Sequence, residues 1–569
     1  MGRFNLLDER WIVVFTDEGE KKVSLLELFS HAHEYYGLAG EMKTQDFALM
    51  RVLLAVLHTV FSRFRPDGTP YDYFEIDPIT MQQVSEIDEA DIECYQDDLY
   101  ETWYELWTAG RFPGIIGQYL EAWRERFYLF NDENAFMQVS KKDINEYAKG
   151  GSEIGGKNIN RLISQSNNKV ALFSPKHDIG KNREYLDYDA AVRWLITFHG
   201  YCGTGDKRKV NDTKLTCSKG WLYDLGGLYL QGANLFETFL LNCALAFNEM
   251  GNLYHAQIPS WERTMEENIE LYFSAGVNNL ASLYTAWARA IYIDPEYQEN
   301  TPFSCFVGKL PEVNHVDEFL EPMTCWNYNQ TGSNKGHYTP RKHRSGISLW
   351  RNFGIVMGIG TAVNGKEYRK AGILNWFKRV YDISRKSNQN ISRQRIKVCA
   401  VSMLDDANAT SRAPVDEICD DLSFEGLVLF DTDNDGWLLR INNTVEWTKR
   451  TVYAVLTPML KDLSEIRGMK PDDMTLVNHG REQFYYLIDR PFRNWLDGIT
   501  AEGSKEGKDL EWKSELKKCL RRFGEDIFRS GSPREFKGIK TGGEDKPVKI
   551  KNIATVYNDF IRNMNKQFK

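Results

Sequence analysis

The sequence predicts an α+β chain, a large mixed domain over 1–442 followed by a C-terminal four-helix bundle over 443–569. Three observations predict it. The first thirty residues read as a β-hairpin, 44–63 carries an apolar stripe at helical spacing, and the segments after Thr444 are almost all amphipathic helices. In chain order, Phe4-Asn5-Leu6-Leu7-Asp8-Glu9-Arg10-Trp11-Ile12 opens the hairpin, which closes through Asp17-Glu18-Gly19 into Val23-Ser24-Leu25-Leu26-Glu27-Leu28. Phe47, Met50, Leu53, Leu54, Leu57 and Val60 then mark one buried helix face. The Trp- and Tyr-rich 99–128 and the run 188–200 (Ala190, Ala191, Trp194, Leu195, Phe198) read as further helices, as do 234–247 and 278–293. Three long stretches, 140–186, 200–220 and 325–346, have no period, and inside a compact protein such stretches are functional or disordered. Between 395 and 442 the pattern turns β-like, at 396–401, 427–430 and, after an Asp435-Gly436 turn, 437–441. The bundle is expected from helices at 447–461, 481–496, 509–528 and 552–566, the third with Trp512, Leu516, Cys519, Leu520, Phe523 and Ile527 on one face.

With 569 residues the chain has room for two to four domains at roughly 150 residues each. Its nine cysteines form no CxxC pair and no secretion signal precedes Arg10, which points to free thiols and a cytoplasmic location. No uninterrupted apolar run approaches the roughly 18 residues of a membrane span.

The net charge of −9 argues against a uniformly basic nucleic-acid coat. Lys and Arg nevertheless concentrate at 169–183, 207–219, 335–344, 366–370 and 385–397, and discrete basic loops on an acidic body can hold phosphates at a few points. In Gly200-Tyr201-Cys202-Gly203-Thr204-Gly205-Asp206-Lys207-Arg208-Lys209, glycines allow close backbone approach and the basic residues can meet phosphate. Upstream, Phe173 lies among Lys176, His177, Lys181 and Arg183, a ring for stacking beside cations for a backbone. Lys335 to Arg344, including Arg341 and Lys342, is the densest basic run.

Enzyme signatures are lacking: there is no P-loop, GxSxG elbow or HExxH helix. Asp431-Thr432-Asp433-Asn434-Asp435-Gly436 imitates a calcium loop, but position 12 is Asn442 and the segment reads better as a solvated hairpin turn. His199, Cys202 and Cys217 lack the paired spacing of a structural zinc site. No metal, cofactor or catalytic residue is expected. Two rival readings stay open: a metal-dependent nuclease using dispersed carboxylates such as Asp405, Asp406, Asp431 and Asp433, and a scaffold without DNA contact.

The N-terminal hairpin is followed in order by Leu38-Ala39-Gly40-Glu41, Phe136-Met137-Gln138-Val139, Asn234-Leu235-Phe236-Glu237-Thr238-Phe239-Leu240-Leu241-Asn242, Glu321-Pro322-Met323 and Leu349-Trp350-Arg351. This ordered set resembles the CasA family, the large subunit of the type I-E CRISPR surveillance complex Cascade, over most of the first 440 residues and more weakly over the helical C-terminus. The resemblance implies a non-catalytic subunit that recognises the short duplex motif next to the target, the PAM, from the minor groove, helps part the strands and docks a helicase-nuclease. It implies that Gly203, Gly205, Lys207 and Lys209 lie along the PAM duplex, joined by a cation from the basic run, with Lys335, Arg341 and Lys342 all open. It further implies that the loop of Phe173, Lys176, His177, Lys181 and Arg183 contacts the guide RNA and the neighbouring backbone subunits. The partners are therefore guide RNA-bound Cascade subunits, double-stranded target DNA and the helicase-nuclease, with no membrane. A glycine-to-alanine change at 203 or 205 is expected to obstruct approach to the groove. Many relatives carry a glutamine wedge on a β-hairpin ahead of the bundle, and this chain departs there: the aligned positions are Asp406, Ala407 and Asn408, with Asn408 expected as the wedge.

Overall fold

The computed structural model describes residues 2–156, 184–217, 219–251, 253, 255–274, 276–359, 362–363, 366–386, 395–407, 412, 414–431, 435–542 and 549–569. They fall into two compact units, Met1–Ser345 with Gly360–Gln389 and Ile396–Asp421, and Gly346–Ile359 with Asn390–Arg395 and Leu422–Lys569.

The first unit is mixed. Strand Ile12–Thr16 pairs with Gly19–Val23 and with Gly37–Leu38, the turn taking Gly19 at φ +109°, and Ser24 caps helix Leu25–His31 by accepting the Glu27 N–H. Helix Lys43–Phe61 runs through the core with every residue after Lys43 buried, packed against helices Tyr188–Tyr201 and Leu280–Tyr284. It is long and apolar enough to cross a membrane by composition, and its apolar window is wholly buried in the protein. Two charges ride with it. Arg51 Nη1 donates to Glu321 Oε1 at 2.8 Å, and just past the helix Arg63 donates both terminal nitrogens to Glu262, each at 2.8 Å. Glu262 also accepts the Tyr119 hydroxyl at 2.5 Å, and Glu321 accepts the Trp221 indole and the Met323 N–H, so these buried carboxylates are held by several donors each.

Strand Gly226–Gln231 pairs antiparallel with Arg395–Asp405, Gln231 opposite Lys397 and Gly226 opposite Ser402, and Pro414–Glu425 flanks the latter. Glu417 of the outer strand accepts the Lys43 N–H (3.1 Å) and the Thr44 N–H (2.8 Å), capping the core helix from far along the chain where Met42 offers no side-chain cap.

In the second unit four helices close a ring: Trp437–Arg467 packs on Thr475–Asp497, which packs on Lys505–Arg529, which packs on Ile553–Gln567, and this returns to the first. Its centre is aromatic, Trp350 stacking on Phe492 at 4.2 Å and Phe492 standing edge-on to Trp512 at 4.9 Å. Architecture and bundle are those expected.

Several elements differ from expectation. The runs 427–430 and 437–441 are helix, Gly426–Phe430 and the start of Trp437–Arg467, so Asp435-Gly436 belongs to a helix-helix loop, not a hairpin turn. There Asp431 accepts the Trp437 N–H at 2.9 Å, and this tie makes the acidic loop a helix start. The stretch 278–293 divides into helix Leu280–Tyr284 and strand Arg289–Ile293. All five strand residues are buried, and without a solvent face the run shows no alternation to read. The patternless 140–186 holds helix Lys141–Ala148 and strand Ser152–Gly155, and 325–346 holds the hairpin Trp326–Tyr328 with Tyr338–Pro340.

Candidate nucleic-acid interface

Three segments singled out in the sequence meet in the first unit: the glycine loop, the basic run and the hairpin tip after Asp405. They meet at the turn Trp221–Asp224, which enters strand Gly226–Gln231.

The glycine loop leaves helix Tyr188–Tyr201 with its carbonyls turned inward. Gly203 accepts from the buried Arg289 guanidinium (3.0 Å) and Gly205 from Lys309 Nζ (3.0 Å). The backbone N–H of Arg412 donates to Thr204 Oγ1 at 2.7 Å. A Cβ on Gly203 would run into the Arg412 carbonyl, so this glycine is needed for protein-protein approach. Lys207 is half-buried, and burial holds its ammonium below the usual lysine range. Lys209 donates to the carbonyls of Thr213 (3.2 Å) and Leu215 (2.9 Å).

The basic run flanks the outer strand of the hairpin Trp326–Tyr328 with Tyr338–Pro340, lying before and after it. Lys335 is exposed at its tip beside Gly336, which takes φ +89°. Arg341 lies over the Tyr368 ring (5.2 Å) and donates to Asn327 (3.2 Å). Lys342 turns toward the turn: its Nζ is 4.6 Å from the Tyr223 ring centre, 3.3 Å from Asp224 and 3.6 Å from Asp405. Asp224 also pairs with Lys219. Burial acts to raise the Asp224 carboxyl, but Lys219 and then Lys342 outweigh it and hold it below the usual range. The Tyr223 phenol is pushed up by burial and by the carboxylates of Asp405 and Asp224. Beside this cluster opens a polar cleft of about 580 Å³ lined by Arg341, Lys342 and Arg344 with Asn314, Asn327 and Asn334.

At the hairpin tip Asp406 and Ala407 are exposed, and Ala407 sits in the left-handed region at φ +54°. Asp405 Oδ1 accepts the Ala407 N–H at 2.9 Å, an Asx turn that holds the tip. Asn408 lies outside the described residues, as do Phe173, Lys176, His177, Lys181 and Arg183.

Sequence reasoning missed Lys219, Tyr223 and Asp224, around which the three segments gather. Only the spacing of the charged Lys219 and Asp224 about Trp221 marks the turn, and nothing local announces partners at 342 and 405. Among the other sequence-flagged residues, His199 is buried, its Nε2 donates to the Met137 carbonyl (2.9 Å), and burial pushes its imidazole down to about 4, so it stays neutral.

His337 ties the hairpin to the preceding segment through Asp317 at 2.6 Å, and next to that contact burial, with the Glu321 carboxylate second, pushes the Glu318 carboxyl up to about 7 from 4.5. A carboxyl raised in the fold binds its proton more tightly there than in the unfolded chain, so stability falls as pH climbs from 4.5 through about 7. Glu318→Gln is therefore expected to raise the melting temperature at pH 8 and leave it unchanged near pH 4.5, a comparison of two thermal melts.

A profile of the CRISPR-associated protein Cse1 family matches residues 5–523. The CasA/Cse1 protein of Thermus thermophilus is 28% identical over 242 residues, 42% of this chain and 39% of that relative, so the match spans well under half of its length. Among solved structures, Thermobifida fusca Cse1 is similar with a TM-score of 0.76 at 21% identity, over 99% of this chain and 98% of that one. A chain of a CRISPR RNA-guided surveillance complex is similar with a TM-score of 0.68 at 15% identity, over the whole of both chains.

Proposed function

The chain belongs to the CRISPR-associated Cse1 family, and from that premise we propose that it is the large, non-catalytic subunit of a type I-E RNA-guided surveillance complex, reading PAM duplex from the minor groove. The observation that supports this reading is the convergence of the glycine loop, the basic run and the tip at 406–407 on one turn. An element that must hold a duplex end and part its first pair needs phosphate-binding cations and an inserting loop side by side. The guide RNA would read the sequence, leaving this subunit a short duplex element whose minor-groove code is degenerate, so several PAMs are tolerated.

In this reading the exposed Lys335 and the half-buried Lys207 contact phosphates, while Gly203, Gly205 and Lys209 shape the loop and Arg341 lines the cleft. Asp406, Ala407 and Asn408 form the wedge. The segment of Phe173, Lys176, His177, Lys181 and Arg183 meets the guide RNA, and the complex recruits a helicase-nuclease.

Carboxylates of the nuclease alternative have other tasks: Asp405 faces Lys342 and holds the Ala407 N–H, and Asp431 starts a helix and pairs with Lys505 at 3.2 Å. The test is duplex binding by the full chain assembled with the guide-loaded complex. Lys207→Ala and Lys335→Ala should each weaken binding across PAM sequences and flatten the salt dependence by about one unit per lost phosphate contact. Wild-type affinity and slope in both variants, or plasmid cleavage by the isolated chain with Mg²⁺ or Mn²⁺, would overturn the reading.

A further inference from the structure

Asp405 is the last residue of strand Arg395–Asp405 and its two carboxylate oxygens do different things. Oδ1 accepts the Ala407 N–H at 2.9 Å and so holds a left-handed turn at a residue with a Cβ, a backbone state that alanine does not favour by itself. Oδ2 stands 3.6 Å from Lys342 Nζ. That separation is an ion pair without a hydrogen bond, and Lys342, with 28% of its side chain exposed, has the freedom to turn toward an incoming anion. Lys342 has its nearer carboxylate in Asp224, at 3.3 Å, so Asp405 is the looser of its two holds. Asp405 is itself only 14% exposed and lies against the buried Tyr223 ring, where losing a neighbouring cation is felt more strongly than in water.

Resting on the duplex-binding reading above, we propose that Asp405 is a positioning residue that couples the two halves of that function: it shapes the strand-parting tip and restrains Lys342 until a DNA phosphate displaces it. Binding and opening are then linked through one carboxylate. When Lys342 turns to a phosphate, Asp405 loses its cation and keeps its bond to Ala407, so the backbone at Ala407 stays shaped as the duplex arrives. The cations that receive the duplex and the loop that enters it therefore act in sequence.

The two tasks separate by mutation. Asp405→Asn keeps an oxygen for the Ala407 N–H and removes the charge; Asp405→Ala removes both; Lys342→Met keeps the stem on Tyr223 and removes the ammonium. Each variant is assembled as the full chain with the guide-loaded complex, and duplex affinity is measured over a salt series. Permanganate reactivity of thymines beside the PAM is measured at saturating protein, and thermal melting of each chain checks its fold. Asp405→Asn should bind several-fold more tightly than wild type and open the duplex at the wild-type level. Asp405→Ala should share the tighter binding yet open about tenfold less, the size expected for losing a charge-assisted hydrogen bond that holds the turn. Lys342→Met should bind more weakly with a salt slope lower by about one unit. The double variant Lys342→Met with Asp405→Asn should bind no better than Lys342→Met alone, the non-additivity that a shared contact produces.

Additive affinities in that cycle, or equal opening by Asp405→Asn and Asp405→Ala, would overturn the coupling while wild-type binding and opening left the functional reading standing. A wild-type complex that neither binds nor opens PAM duplex would remove that reading and the coupling with it.

Discussion

Glu321→Ala is expected to cost the protein about 3–5 kcal/mol, because it strands a buried guanidinium. Arg51 is sealed in the core with Glu321 as its ionic partner, and the same carboxylate takes the Trp221 indole at 2.7 Å and the Met323 N–H at 2.9 Å. Removing it leaves one charge and two polar groups without their acceptor at a residue 1% exposed. A denaturant titration should show the loss, and the paired change Arg51→Met with Glu321→Leu should recover only the part due to the stranded charge, because the Trp221 indole and the Met323 N–H still lack their acceptor. A loss below about 1 kcal/mol for Glu321→Ala would mean that Arg51 is solvated after all. The effect should extend to the site. Trp221 stacks on His315 at 4.3 Å and opens the turn that carries Tyr223 and Asp224, so the folded fraction of the variant should also bind duplex more weakly.

Gly203→Ala should impair strand opening far more than Gly205→Ala. The added methyl at 203 meets the Arg412 carbonyl, a backbone atom that cannot rotate away, and the neighbouring Thr204 holds the Arg412 N–H. Relief requires the loop and the hairpin to move apart, a strain typical of overpacking at about 1–3 kcal/mol. The hairpin tip is thereby displaced without any change to a residue that touches DNA. Thymine reactivity beside the PAM, scored against duplex affinity, separates this account from simple obstruction of the groove: obstruction lowers affinity at both glycines, whereas displacement lowers opening at 203 first. Equal defects at both positions would defeat the displacement account.

What the sequence made legible follows from range. The stripe of Phe47, Met50, Leu53, Leu54, Leu57 and Val60 is a local signal, and the helix Lys43–Phe61 stands where it said. The start of Trp437–Arg467 reads as strand because Trp437 and Ile441 favour strand and an Asp435-Gly436 turn precedes them, while the helix they begin is fixed by Asp431 on the Trp437 N–H and by packing over seven further turns. Arg289–Ile293 was misread for the opposite reason, being buried on both faces so that period two never shows. In the site, the glycine loop and the basic run stand out as stretches of unusual composition, and the tip only through the family resemblance. Their meeting does not. Lys342 reaches Asp224 and Asp405, and Thr204 reaches Arg412, across separations of about 60 to 200 residues, and a charge read in its own neighbourhood carries no trace of a partner so distant. Glu417 on the N-terminus of the core helix is hidden in the same way, far along the chain from the helix it caps.

The two arginines of the core helix region also set a schedule for synthesis. Arg63 waits for a carboxylate 199 residues later and Arg51 for one 270 residues later. At about 5–20 residues per second, the second wait is roughly 14–54 s, during which Arg51 lacks the carboxylate that pairs with it in the folded core. Such long-range closure is expected to slow folding of the first unit, and a codon change that delays translation between Arg63 and Glu321 should lower the yield of folded protein while leaving its sequence, and its final stability, untouched.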